Sequence, residues 1–216
     1  MKLRALSLSI LLASVGFASM QTHHTQHQSK QCDFAKIEKE AKTPSQKVNS
    51  LMHAPMMCNP WVESKNIETD YLSNMIPHHQ GAILSSEALL KYAKNPKLIK
   101  IANEIIQTQK KEIKQFHQLL KAIDKNESQN YTIFAKEAKE DMDEMMKQMH
   151  LEHYSNDVEK DYIQAMIAHH RGAIDASEQV LKYTKNQEII KVANEIISAQ
   201  KKEIEQFQEL LKEKRG

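Results

Sequence analysis

The 216-residue chain carries 30 Lys and Arg against 28 Asp and Glu, a formal charge of +2. Neither sign dominates any long stretch, so the basic footprint of a nucleic-acid binder is excluded. The one long apolar run lies at the start of the chain and is too short to span a bilayer.

Lys2 and Arg4 form a basic opening, Ala5 to Phe17 an apolar run, and Gly16-Phe17-Ala18 a small-x-small cleavage site. Residues 1–18 therefore read as a signal peptide, and no membrane association is expected after its removal. No cysteine follows the cut, which speaks against a lipid anchor. A periplasmic location is expected, and removing Lys2 and Arg4 takes the charge from +2 to about zero. About 198 residues remain, enough for one substantial core or two small ones. An oxidising compartment makes Cys32 and Cys58 candidates for a disulfide closing a loop of about 25 residues, with metal-binding thiols as the alternative.

Residues 19–65 form a His- and Met-bearing segment, beginning "QTHHTQHQ", and that beginning is expected to be loose. Its histidines His23, His24 and His27 suit Cu(II) or Ni(II), and equally a solubilising tail. A helix is predicted around Phe34 to Lys42, ended by Pro44, and "LMHAPMMCNPW" follows. From Asn66 to residue 213 apolar residues recur at spacings of three and four with almost no glycine, which predicts an all-α domain.

That domain is a duplication. Residues 70–121 match residues 161–212 at 33 of 52 positions without a gap, setting the repeats at about 66–121 and 157–212. Each copy predicts two helices: about Asn66 to Lys94 then Pro96 to Lys121, and Asn156 to Lys185 then Gln187 to Lys212. Asn156 and Glu159 have capping-box spacing. Two such αα-hairpins, joined by a helix near 131–150, can close a four-helix bundle.

Both copies carry the stretch Met-Ile-x-His-His-x-Gly-Ala-Ile, as "MIPHHQGAI" from residue 75 and "MIAHHRGAI" from residue 166. Helical projection puts His78, His79, His169 and His170 at or beside the core face, with Met75 and Met166 one turn earlier. Adjacent helical residues point about 100° apart, so the two histidines of a pair are not expected to grip one ion together. One should face the interior and the other the edge. Gly81 and Gly172, each mid-helix at about 1 kcal/mol relative to Ala, indicate close approach by another helix. Pro77 reads as a bend in a continuous helix, because Ala168 stands in its place in the second copy. Gln109 and Gln200 fall on apolar stripes, and the imidazole N–H groups across the hairpin are the expected partners. Glu112 and Glu203 either orient a histidine or form solvated salt bridges.

The segments "DYLSNMIPHHQGAI" with "ANEIIQTQKKEI", and "DYIQAMIAHHRGAI" with "ANEIISAQKKEI", resemble the family of domain of unknown function 305. The resemblance covers roughly residues 66–213 and implies an exported, ferritin-like four-helix bundle. It further implies copper or silver binding through Met75, His78, His79, Met166, His169 and His170. Where that family tends to carry a methionine after Gln-x-x-Glu-Ile, this chain has Phe116 and Phe207, so two thioethers are missing from the implied set.

Ligand chemistry points the same way. Thioethers select Cu(I) or Ag(I) over zinc, calcium or magnesium, while imidazole serves either copper oxidation state, so Cu(I) is favoured with Cu(II) or Ag(I) as alternatives. Met142, Met145, Met146 and Met149 share one helical face, followed by His150 and His153, and Met52, His53, Met56 and Met57 cluster earlier. Met142, Met145, Met149 and His150 are further candidate ligands, though flexible core filling explains such a stripe equally well. His117, replaced by Gln208 in the second copy, reads as surface. A di-metal oxidase is disfavoured because no Glu-x-x-His pair occurs. The expectation is a non-enzymatic protein for copper binding or buffering, whose partners are the metal ion and a periplasmic copper-transfer protein. A structural or partner-binding bundle without metal is the alternative. The two copies are expected to share one two-Met, two-His site near a pseudo-two-fold axis.

Overall fold

A computed structural model describes residues 32–150 and 154–214. Among them the chain forms seven helices and no strand: α1 (Phe34–Glu40), α2 (Pro44–Cys58), α3 (Ile67–Leu89), α4 (Pro96–Ala122), α5 (Tyr131–Met149), α6 (Val158–Tyr183) and α7 (Gln187–Glu213). The expected signal peptide and His23, His24, His27 and His153 lie outside the described residues. Among the described residues, no helix is long and apolar enough to cross a membrane.

Side-chain caps set the helix starts. Asn66 accepts from the Thr69 amide at the head of α3, Asn95 from Lys97 and Leu98 at α4, and Asn186 from Glu188 at α7. Such side chains satisfy amides that the first turn leaves without partners. At α6 the expectation is off by one residue: Asp157 is the cap, accepting from Glu159 and Lys160. Asn156 instead turns the chain at φ 63°, as Lys65 does at φ 70° before Asn66. Helix α3 runs unbroken through Pro77.

The main departure from the sequence reading is α2. Pro44 does not merely end a helix but is the first residue of α2, where its missing N–H is no loss, and Thr43 and Gln46 close a capping box around it. Helix α2 packs on α3 and α6, burying Val48, Leu51, Met52 and Met56. Helix α5 likewise packs on α6 and α3. Each copy is thus a three-helix unit, with α2 serving α3 and α4 as α5 serves α6 and α7. Cys32 and Cys58 are bonded, at a Cα separation of 5.8 Å, which ties the start of α1 to the end of α2.

The four-helix bundle consists of α3, α4, α6 and α7, with α3 and α6 at its centre. Tyr71 donates to Ser177 Oγ and Tyr162 donates to Ser86 Oγ, both at 2.8 Å, while Ser177 and Ser86 donate onward to the carbonyls of Ala173 and Ala82. These reciprocal bonds join positions 91 apart in the duplication, so a pseudo-two-fold axis passes between antiparallel α3 and α6. The core splits accordingly into two apolar clusters. One holds Leu89, Leu98, Ile105, Tyr162, Met166 and Phe207; the other holds their counterparts Val180, Ile189, Ile196, Tyr71, Met75 and Phe116. Each large apolar side chain buried in this way contributes about 1.5–3 kcal/mol. Between the clusters, at the middle of all four helices, lies a polar layer.

Candidate metal site

The polar layer is made by His78 and His79 on α3, Gln109 and Glu112 on α4, His169 and His170 on α6, and Gln200 and Glu203 on α7. All four imidazoles are at most 6% exposed, and both glutamines are 2% exposed. All four rings of the two pairs are buried, because α2 and α5 cover the flanks that a bare four-helix bundle would leave open, and His78 alone of the four also lines a groove between those helices.

Within each pair the two rings take different partners. His78 stacks on its counterpart His169 with ring centroids 3.6 Å apart, and its Nε2–H donates to the His169 carbonyl at 3.1 Å. A carbonyl only accepts, so this bond fixes the Nε2-protonated tautomer and leaves the Nδ1 lone pair free. That nitrogen has no protein partner. His79 turns the other way, donating to Glu112 at 2.9 Å with its ring against Phe116 at 5.1 Å. His170 lies 2.7 Å from Glu203, with Phe207 at 6.0 Å. The four imidazoles therefore form one row across the bundle with a carboxylate at each end. Burial pushes His78 and His169 well below the usual imidazole range, and the neighbouring imidazoles push them further down.

Glu112 hydrogen-bonds His79 and Glu203 lies 2.7 Å from His170, the placement that orientation of a histidine requires. The glutamines differ from expectation: neither Gln109 nor Gln200 hydrogen-bonds an imidazole, and both amide groups lack a protein partner. His79 spends its Nε2–H on Glu112 and packs on Phe116, so that donor is not available to the amides.

A groove of about 270 Å³ opens between α2, α3, α5 and α6. Its walls carry Met56, Met57 and Trp61 from α2 and the loop after it, Met75 and His78 from α3, Met142, Met145 and Met146 from α5, and Gly172 from α6. His78 thus belongs both to the polar layer and to the groove. Several polar side chains of the wall are already engaged. Asp70 accepts from Ser64 and Tyr131, Asp143 pairs with Lys139, and Asn74 exchanges hydrogen bonds with the Val62 backbone. Burial and the nearby Asp175 raise the Asp141 carboxyl above the usual carboxylate range. What the groove offers is thioether sulfur, the Trp61 indole, the His78 ring and the Asp141 carboxylate.

The candidate ligands of the sequence reading are therefore dispersed. Met75, His78, Met142 and Met145 share the groove. Met166 and Met149 are fully buried in an apolar cluster, and His150 is exposed just beyond α5. A symmetric two-Met, two-His site is not formed: His78 and His169 meet, but Met75 and Met166 lie in opposite clusters. Met56, Met57, Met146 and Trp61 were absent from the candidate ligands, although the run "MMCNPW" showed sulfur beside an aromatic ring. Gly81 and Gly172 do admit close neighbours, and at Gly81 these include His169 of the other copy, 3.5 Å from where a β-carbon would stand. A β-carbon at Gly81 would strike the Met52 carbonyl of α2, and one at Gly172 the Met145 side chain of α5. Among the described residues no three His, Cys, Asp or Glu side chains converge as a metal-holding group.

A duplicated helical bundle with a polar middle layer and a methionine-lined groove defines the class of this protein. The chain matches the family described as Domain of unknown function (DUF305) over residues 68–211 and belongs to it. Two solved structures are similar. One is CopM in an Ag-bound form obtained by soaking, 25% identical, covering 69% of this chain and 97% of that one with a TM-score of 0.54. The other is a DUF305 fragment from Deinococcus radiodurans, 18% identical, covering 72% of this chain and 99% of that one with a TM-score of 0.51. No curated protein matches the chain.

Proposed function

We propose that this chain is a periplasmic, non-enzymatic binder of soft monovalent copper or silver, carrying the ion as cargo in copper homeostasis or resistance. The groove carries the reading: Met75, Met142, Met145 and Met146 gather there around His78, whose Nδ1 is free. Thioethers with one neutral imidazole suit Cu(I) or Ag(I) and suit zinc poorly. The His78 N–H bonded to a backbone carbonyl is the support that metal-ligating histidines commonly have. The silver-bound form of the similar CopM chain supports the same cargo. Residues 1–18, read as a signal peptide, and the Cys32–Cys58 bond both agree with an oxidising compartment. The ion would pass from the open groove to a periplasmic copper-transfer partner.

Competition with a Cu(I) chelator, with native mass spectrometry for stoichiometry, tests this. The double variant Met75→Leu/Met145→Leu should bind Ag(I) about tenfold or more weakly, since about 1.4 kcal/mol of lost ligation already gives tenfold. Zinc held more tightly than silver, or an affinity untouched by the double variant, would overturn the reading. The chain would then stand as a partner-binding bundle.

A further inference from the structure

Trp61 is the chain's single tryptophan, and it lies outside residues 68–211, the part shared with the family. Helix α2 and the loop after it, also outside that part, bring Met56, Met57 and Trp61 to the groove. The loop is held at both ends. Before Trp61, Cys58 is bonded to Cys32, and the Asn59 side chain donates to the Pro55 carbonyl at 2.7 Å. After it, the Val62 N–H donates to Asn74 Oδ1 at 2.9 Å and the Val62 carbonyl accepts from Asn74 Nδ2 at 3.0 Å. The half-buried Trp61 is therefore carried by an anchored loop and lines the same groove as Met75 and His78.

Thioethers and a neutral imidazole bring no negative charge, so a monovalent cation held by them keeps its full charge. The carboxylates of Asp70 and Asp143 are committed to Ser64, Tyr131 and Lys139. The Asp141 carboxylate, raised above the usual range mainly by burial, also lines the groove, and among the aromatic rings of its wall the Trp61 indole attracts a cation most strongly, above all when water is displaced. We propose, resting on the soft-metal reading above, that Trp61 caps the ion in the methionine groove through a cation–π contact. The cap strengthens retention of Cu(I) or Ag(I), which thioethers can strip of water, and does little for strongly hydrated divalent ions.

The experiment titrates Ag(I) and then Zn(II) into the disulfide-bonded protein. Trp61 emission is followed alongside native mass spectrometry, and Ag(I) affinity is measured for Trp61→Leu and Trp61→Phe. Ag(I) should change the emission in step with its uptake, and Zn(II) should not. Trp61→Leu should weaken Ag(I) binding by about 3- to 30-fold, the range of a partly to fully desolvated cation–π contact, with Trp61→Phe in between. Emission unmoved while silver binds, or Trp61→Leu binding at the unmutated affinity, would overturn the cap and leave the groove reading standing. No silver uptake by the unmutated chain would overturn both. The emission readout needs no substitution, so a variant that fails to fold does not remove the test.

Discussion

Burial governs the behaviour of the central histidines. His78 and His169 are held well below the ordinary imidazole range mainly by burial, so the metal-free folded state binds fewer protons than the unfolded chain as the pH falls. Their contribution is complete above about pH 6.5 and is lost progressively below it. Urea midpoints measured from about pH 8 to about pH 5 should decline, and His78→Gln/His169→Gln should decline less. An acid limb identical in both proteins would assign the loss to other groups. The glutamines of the same layer are a liability of another kind. Gln109 is 2% exposed with both amide atoms unpartnered, at about 1–3 kcal/mol for a buried polar group left unsatisfied. Gln109→Leu should raise stability by a similar amount in chemical denaturation, and a drop would show that the amide has a partner in solution. A layer kept at such expense marks a functional position rather than a stabilising one.

At the scale of helices, the two mid-helix glycines make unequal demands. The Gly81 neighbour is the Met52 backbone, which cannot step aside, whereas the Gly172 neighbour is the flexible Met145 side chain. Gly81→Ala should therefore destabilise by about 1–3 kcal/mol through overpacking. Gly172→Ala should cost less, its strain partly offset by about 1 kcal/mol of helix propensity. Thermal melts compare them directly, and an equal loss would contradict the α2 approach described. Helix positions in the repeat were legible because Asn66, Asn95 and Asn186 are strong caps and Pro96 suits a first turn. Helix α2 was not, because Pro44 read as a break and the buried residues Val48, Leu51 and Met52 find their partners on other helices. The histidine pairs were legible as core-facing, but which ring turns inward was not. That choice is made by Phe116 and Glu112 on the neighbouring helix, which no local spacing reveals.

For the molecule as a whole, the Cys32–Cys58 bond fastens α2, and with it one wall of the groove, to the start of the described chain. In the chain-entropy model a loop of this length stabilises by about 3 kcal/mol. Cys32→Ser/Cys58→Ser should accordingly melt at a lower temperature, and a melting temperature equal to that of the bonded protein would show that α2 holds by packing alone. The reciprocal Tyr–Ser bonds and the stacked His78 and His169 carry a further consequence. Contacts that swap partners across an axis are those that identical subunits make in an isologous dimer. This interior is that of a dimer fused into a single polypeptide. Fusion releases each half from having to serve on both sides, and the halves have diverged at the mouth of the groove. Met56, Met57 and Trp61 come to it from α2 and the loop after it, outside the matched repeat. The interior is common to both halves, while the groove draws on residues outside the repeat and so has no need to obey its symmetry.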